Sequence, residues 1–233
     1  MDYQVLNKRI TIFPEPSLTF DEKYIAAYIN EFLDMKLLPS ISKGYQVKFT
    51  ADRYTGEEVM TLNLKRLDDS LMAEFNPDRV DIITRVANKS WEDFYNDAMQ
   101  IVGRLVEKLD VRISRIALGA NIKYVVGSEL KDKAYNKLVV SNTEESPVEW
   151  NIRKVIRSNF ASENGNEIPL NNVYTLSLAE SNQDCLNLEL DYNTVVNAGA
   201  DTVTSERERI IQKFMESVTH DTDLYRKTFE SWK

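Results

Sequence analysis

The stretch Leu186–Tyr192, LNLELDY, alternates without a break: Leu186, Leu188, Leu190 and Tyr192 in one phase, Asn187, Glu189 and Asp191 in the other. Successive side chains of a strand point to opposite faces, so this pattern describes a strand with one dry face and one wet face. The same period recurs at Tyr45, Val47 and Phe49, at Met60, Leu62 and Leu64, and at Leu71, Ala73 and Phe75. Parallel sheets are covered on both sides and read as continuous apolar runs, whereas a wet face belongs to antiparallel sheet. The chain is thereby constrained to a largely antiparallel sheet whose dry face needs a cover.

Helical stripes supply that cover. Ser90 followed by Asp93 has the form of a capping box, and Trp91, Phe94, Tyr95, Ala98, Ile101, Val102, Leu105 and Leu109 then form one broad apolar face. Gly103, inside this helix, is expected to mark close packing. An earlier helix is expected after a Thr19–Glu22 box, with Tyr24, Ile25, Tyr28, Ile29, Phe32 and Leu33 at helical spacing and a stop at Pro39. A shorter helix fits Glu129 to Val139. A long helical region begins at Ser205 with Glu208 as its capping partner. It carries Ile210, Ile211, Phe214 and Val218, breaks near His220 to Asp223, and resumes with Tyr225, Phe229 and Trp232.

Further strands are expected from Gln4 to Phe13, closed by the prolines at 14 and 16, and around Trp150 to Phe160 and Val173 to Leu178. Turns fall at Gly56, at Asp68-Asp69 and at Asn76–Asp78, the last leading into an extended piece with Val80 and Ile82 on one face. Residues 141–146 and 162–167 read as exposed loops. Two halves emerge, 1–110 and 111–233, each ordered as strand, helix, three strands and long helix. The fold class is α+β: a largely antiparallel sheet flanked by long helices, in one compact unit whose repeated order suggests an internal duplication. A gapless match lays 69–80 over 184–195, with Asp69 on Asp184, Leu71 on Leu186, Glu74 on Glu189 and Val80 on Val195.

The most apolar run is RIALGANIKYVVG, residues 115–127. Its glycines lack phosphate-loop spacing, and it reads as a strand opening the second half, buried at Ile116 and Leu118. Gly119 then marks a bulge or a close backbone approach, and Gly127 the end of the strand. Arg115, Asn121 and Lys123 punctuate it, and with Glu74 and Glu189 they are the binding candidates if facing strands bring them to a cleft between the halves.

Catalytic signatures are missing: the sequence holds no Walker-type loop, dinucleotide fingerprint, C-x-x-C, H-E-x-x-H or G-x-S-x-G. His220 is the sole histidine, and Cys185, the sole cysteine, reads as an inert strand residue. His220–Asp223, HDTD, reads as a helix break with a local cap rather than a metal site. Trp91, Phe94 and Tyr95 read as core. No catalytic residue, cofactor or metal is expected.

A formal net charge of -8 argues against a nucleic-acid partner, since Arg153 and Arg157 would share one strand face while Lys154 points to the other. No apolar stretch approaches the roughly 20 residues of a membrane span, and the N-terminus lacks the order of a signal peptide. A cytoplasmic protein that does not enter membranes is expected.

The element order resembles that of a sporadically distributed bacterial family of uncharacterised proteins of similar length. That family carries an R-x-G-L-R-Y strand followed by asparagine, and a terminal helix rich in phenylalanine. Arg115, Ala117 and Leu118 match the strand and Ile210–Thr219 the helix, while Gly119 and Ala120 stand where the arginine-tyrosine pair would be. The resemblance implies no established activity or site residues; the family's scattered distribution suggests a role in bacterial or phage conflict. The expectation is a non-catalytic protein-interaction module, an adaptor, regulator or inhibitor, acting through a sheet edge or an acidic surface, with self-association through exposed edges. The alternative is a small-molecule binder or an enzyme of unfamiliar type, with its pocket between the halves.

Overall fold

A computed structural model describes residues 1–50, 53–87, 89–138, 149–179, 184–195 and 198–232. The first half supplies β1 (Tyr3–Pro14), α1 (Glu22–Phe32), β2 (Leu38–Thr50), β3 (Arg53–Lys65), β4 (Met72–Asn76), β5 (Arg79–Thr84) and α2 (Trp91–Glu107). The second supplies β6 (Ile113–Val125), α3 (Ser128–Leu138), β7 (Trp150–Ala161), β8 (Glu167–Leu178), β9 (Cys185–Thr194), α4 (Ala200–Ser205) and α5 (Arg207–Glu230). The strands join edge to edge in one nine-stranded sheet of order β2-β3-β4-β5-β1-β6-β9-β8-β7. Every pairing is antiparallel, as the wet-face alternation requires. The fold is α+β.

The joint between the halves is the ladder of β1 with β6, which runs from Tyr3 opposite Tyr124 to Pro14 opposite Ile113. Residues of one phase, Ile10 and Ile12 on β1 and Ile116, Leu118, Ile122 and Tyr124 on β6, are almost wholly buried. The helices pack on this dry face. Tyr28 and Phe32 of α1 meet Phe75, Tyr135 of α3 meets Trp150, and Phe229 of α5 packs edge-on against Tyr124. Trp91 of α2 lies under the Lys8 ammonium, and Thr204 of α4 accepts from the Ile113 amide.

Several local expectations shift for physical reasons. The N-cap of α1 is Asp21, whose carboxylate accepts from the Tyr24 amide at 2.9 Å, not Thr19; aspartate caps at least as well as threonine. That helix stops at Phe32, passes through a 3-10 turn and ends at Lys36 in the left-handed region, so Pro39 lies inside β2. Gly56 is within β3, opposite Val47, and not at a turn; the pairing of β2 with β3 continues as far as Thr50 opposite Arg53. Val139 and the loop 141–146 lie outside the described residues. The first half carries four strands after α1 rather than three, because β4 and β5 are separate strands of a hairpin. The gapless match of 69–80 to 184–195 therefore sets a hairpin over the single strand β9.

Ser90 caps α2 as expected, its hydroxyl accepting from the Asp93 amide at 2.9 Å. Gly103 does not mark close packing: a Cβ built there would meet only the Glu107 side chain, at 4.0 Å. Gly103→Ala should therefore stabilise the protein by up to about 1 kcal/mol through backbone entropy, read as a higher urea midpoint with an unchanged slope.

Arg66 grips Asp97 with two bonds of 2.8 Å, and Lys89 donates to the same carboxylate, tying the β3–β4 turn to α2. Burial raises the Asp97 carboxyl pKa, but these donors outweigh it and hold the group below its ordinary range. A depressed folded-state pKa contributes stability above the unfolded value, about 3.9, and loses it as pH falls through the folded value. Asp97→Asn should thus be less stable than the parent in urea at neutral pH, with the gap narrowing below about pH 4.

Candidate functional site

The opposite phase of the same strands faces away from all five helices. Reading across the register, one row runs Asn7, Asn121, Glu189, Thr175 and Arg153, from β1 through β6, β9 and β8 to β7. The next runs Ile83, Arg9, Gly119, Asp191, Val173 and Val155. A third carries Asp81, Thr11, Ala117, Asn193, Asn171 and Arg157. This open face carries amides, carboxylates and guanidinium groups among a few aliphatic side chains, and along its third row Asp81, Thr11, Ala117 and Asn193 are buried beneath their neighbours.

Its arginines differ from those elsewhere. Of the arginines with described side chains, Arg66, Arg79, Arg104, Arg112, Arg207, Arg209 and Arg226 each face a carboxylate at 2.6–3.1 Å or nearer. Arg9, Arg85, Arg115, Arg153 and Arg157 have no carboxylate partner among the described residues. All five belong to the open face: Arg9, Arg115, Arg153 and Arg157 by strand phase, and Arg85 by continuing β5 beside Arg9. Lys123 shares this face and also has no ion-pair partner among the described residues.

A pocket of about 190 Å³ opens at the joint between the halves. Its walls include Asn7 and Arg9 of β1, Arg85 after β5, Gly119 and Asn121 of β6, and Glu189 of β9. Gly119 lies directly opposite Arg9, and a Cβ built there would stand 3.5 Å from Arg9 Nη2 and 3.7 Å from Nε. The glycine thus lets the Arg9 side chain lie across β6. Neither bulge of this ladder is at Gly119: one leaves Leu6 of β1 without a partner in the register, between Val5 and Asn7, and the other leaves Ser114 of β6, opposite the step from Phe13 to Pro14.

Of the residues singled out in the sequence, Asn121 and Glu189 are cross-strand neighbours, and Lys123 sits two residues along β6, opposite Asn187. Arg115 lies toward the other end of β6, its guanidinium 4.7 Å from the centre of the Phe13 ring. Glu74 stands on β4, where it accepts from the Asn76 amide, with three strands between it and β9. The pocket residues the sequence reading passed over are Asn7, Arg9 and Arg85. Two of them were signalled: within the strand expected from Gln4 to Phe13, Asn7 and Arg9 occupy the polar phase.

The remaining chemistry is structural. Cys185 is buried on the open-face phase of β9, while exposed His220 is on α5 beyond the other face, so no nucleophile pair forms. The HDTD stretch lies inside an unbroken α5 rather than at a break; the helical interruption comes earlier, at Glu206. Asp221 Oδ2 accepts from the hydroxyls of Tyr174 at 2.8 Å and Tyr192 at 2.6 Å. Burial, reinforced by the Asp221 charge, pushes both phenols well above their ordinary pKa, so they stay protonated donors. Among the described residues no group of three or more His, Cys, Asp and Glu side chains could hold a metal ion, and no helix is long and apolar enough to cross a membrane.

No protein-family model, no curated protein and no solved structure matches this chain.

Proposed function

We propose that this protein is a non-catalytic interaction module, an adaptor, regulator or inhibitor, whose working surface is the open face of the sheet and whose partner there is anionic. The observation that carries this reading is the segregation of arginines. In a chain of net charge -8, every arginine with a described side chain and no carboxylate partner falls on one face. Guanidinium groups left without internal partners are available to carboxylate or phosphate, and they steer such partners over a Debye length. The β7 edge suits docking less well: it carries Arg153, Lys154 and Arg157, charges of the kind that discourage strand addition. The mirrored strand order about the β1–β6 joint also supports an origin by duplication of one half.

The test is retention on immobilised heparin at low ionic strength. The parent, despite its negative net charge, should bind and elute in a salt gradient. A variant with Arg9→Glu, Arg153→Glu and Arg157→Glu should flow through while keeping its circular dichroism spectrum. Lys213→Glu, an exposed reversal on α5, should leave retention nearly unchanged. A parent that flows through, or a triple variant retained like the parent, would overturn the reading.

A further inference from the structure

The geometry points to the pocket at the β1–β6 joint as a binding site for a small phosphorylated polyol, an inference that rests on the open face being the anion-binding surface. Arg9 and Arg85 bring two guanidinium groups to one concavity, and neither has a carboxylate partner among the described residues. Glu189, the carboxylate of the same pocket, forms no ion pair with either among the described residues, so both guanidinium groups remain available to an anion. A phosphomonoester is close to a dianion at neutral pH and offers three acceptor oxygens, which matches two forked donors better than a single carboxylate does. The other wall offers a different chemistry. Glu189 accepts only, and like Arg9 it has no described hydrogen-bond or ion-pair partner. Directly across the ladder from it, Asn121 both donates and accepts, and so does Asn7 beyond. A carboxylate and two amides form the lining expected for hydroxyl groups, which both donate and accept. The bound molecule therefore has an anionic end toward Arg9 and Arg85 and a hydroxylated end toward Glu189.

Size narrows the class further. At about 190 Å³ the pocket is smaller than the roughly 300–1,000 Å³ of sites for drug-sized ligands. Among the described residues no aromatic side chain lines it, so none offers the stacking that holds a nucleobase. Gly119 is part of the device, because any side chain longer than a methyl group at that position would lift Arg9 off β6.

Isothermal titration of the full chain with glycerol phosphate, inorganic phosphate and glycerol separates the parts. Glycerol phosphate should bind at least roughly tenfold more tightly than inorganic phosphate, and glycerol alone not measurably. Arg9→Met should weaken glycerol phosphate by roughly tenfold or more. Glu189→Gln should retain phosphate binding and lose most of the preference for glycerol phosphate. Equal affinity for glycerol phosphate and phosphate would overturn the polyol assignment, and unchanged binding by Arg9→Met would overturn the site. Failure of both anions to bind while heparin retention persists would overturn the pocket inference and leave the face reading standing. Loss of heparin retention as well would overturn both.

Discussion

Leu118→Ala should lower the unfolding free energy by about 2–5 kcal/mol, toward the upper part of that range. Leu118 is fully buried, with Ile10 opposite on β1 and Tyr192 opposite on β9. Removing its outer carbons leaves a cavity walled by central strands whose backbones are fixed by ladders on both sides. Such a wall relaxes little, and the cost of a large-to-small change grows with the volume that fails to close. The position also tests the architecture. Because β6 is the second half's side of the joint, weakening it should be felt by residues 1–110 and 111–233 alike. Urea unfolding followed by tryptophan fluorescence and by far-ultraviolet circular dichroism should give one coincident, earlier transition. Two separated transitions would mean that the halves fold independently.

Asp221→Ala should cost about 2–4 kcal/mol, even though alanine is the better helix former. The reason is the pair of phenols it serves. Tyr192 is wholly buried, and its hydroxyl, like that of Tyr174, donates to the single oxygen Asp221 Oδ2. Without the carboxylate both donors lose their acceptor, and a buried unsatisfied donor costs roughly 1–3 kcal/mol. Asp221→Asn, which keeps an acceptor oxygen, should lose less. Asp223→Ala, whose partly exposed carboxylate pairs with Arg226, should change stability by no more than about 0.5 kcal/mol. Urea midpoints for the three variants make the comparison. A stabilised Asp221→Ala would show that helix propensity, not the tyrosine pair, governs this turn of α5.

The same residues show why the sequence misled there. HDTD has the composition of a cap, and local preference alone predicts a break. In the fold, Tyr174 of β8 and Tyr192 of β9 reach across to Asp221, and the Tyr124 hydroxyl donates to the Thr222 carbonyl at 2.8 Å. These contacts link residues far apart in the chain, which no local window contains. The alternation of Leu186 to Tyr192 and the stripe of α2 were legible for the converse reason. Each is a repeating pattern within one element, and each survives folding because its apolar phase is the one buried.

The candidate site divides along that line as well. Asn121, Lys123 and Glu189 could be selected as polar residues on strands, but Glu74 was joined to Glu189 through a match that the fold does not keep. Which rows align across nine strands depends on register and strand order, and both follow from how the dry faces pack together. The amino-acid sequence by itself determined the antiparallel sheet, its helical cover and the phase of the strands that alternate clearly, because these depend on periodicity along the chain. Only the tertiary structure decided that β1 and β6 meet, that Arg9 lies across Gly119, and that the unpaired arginines share one face. Those facts depend on distances between strands that lie more than a hundred residues apart along most of their ladder, fixed by burial of the common core rather than by any local preference.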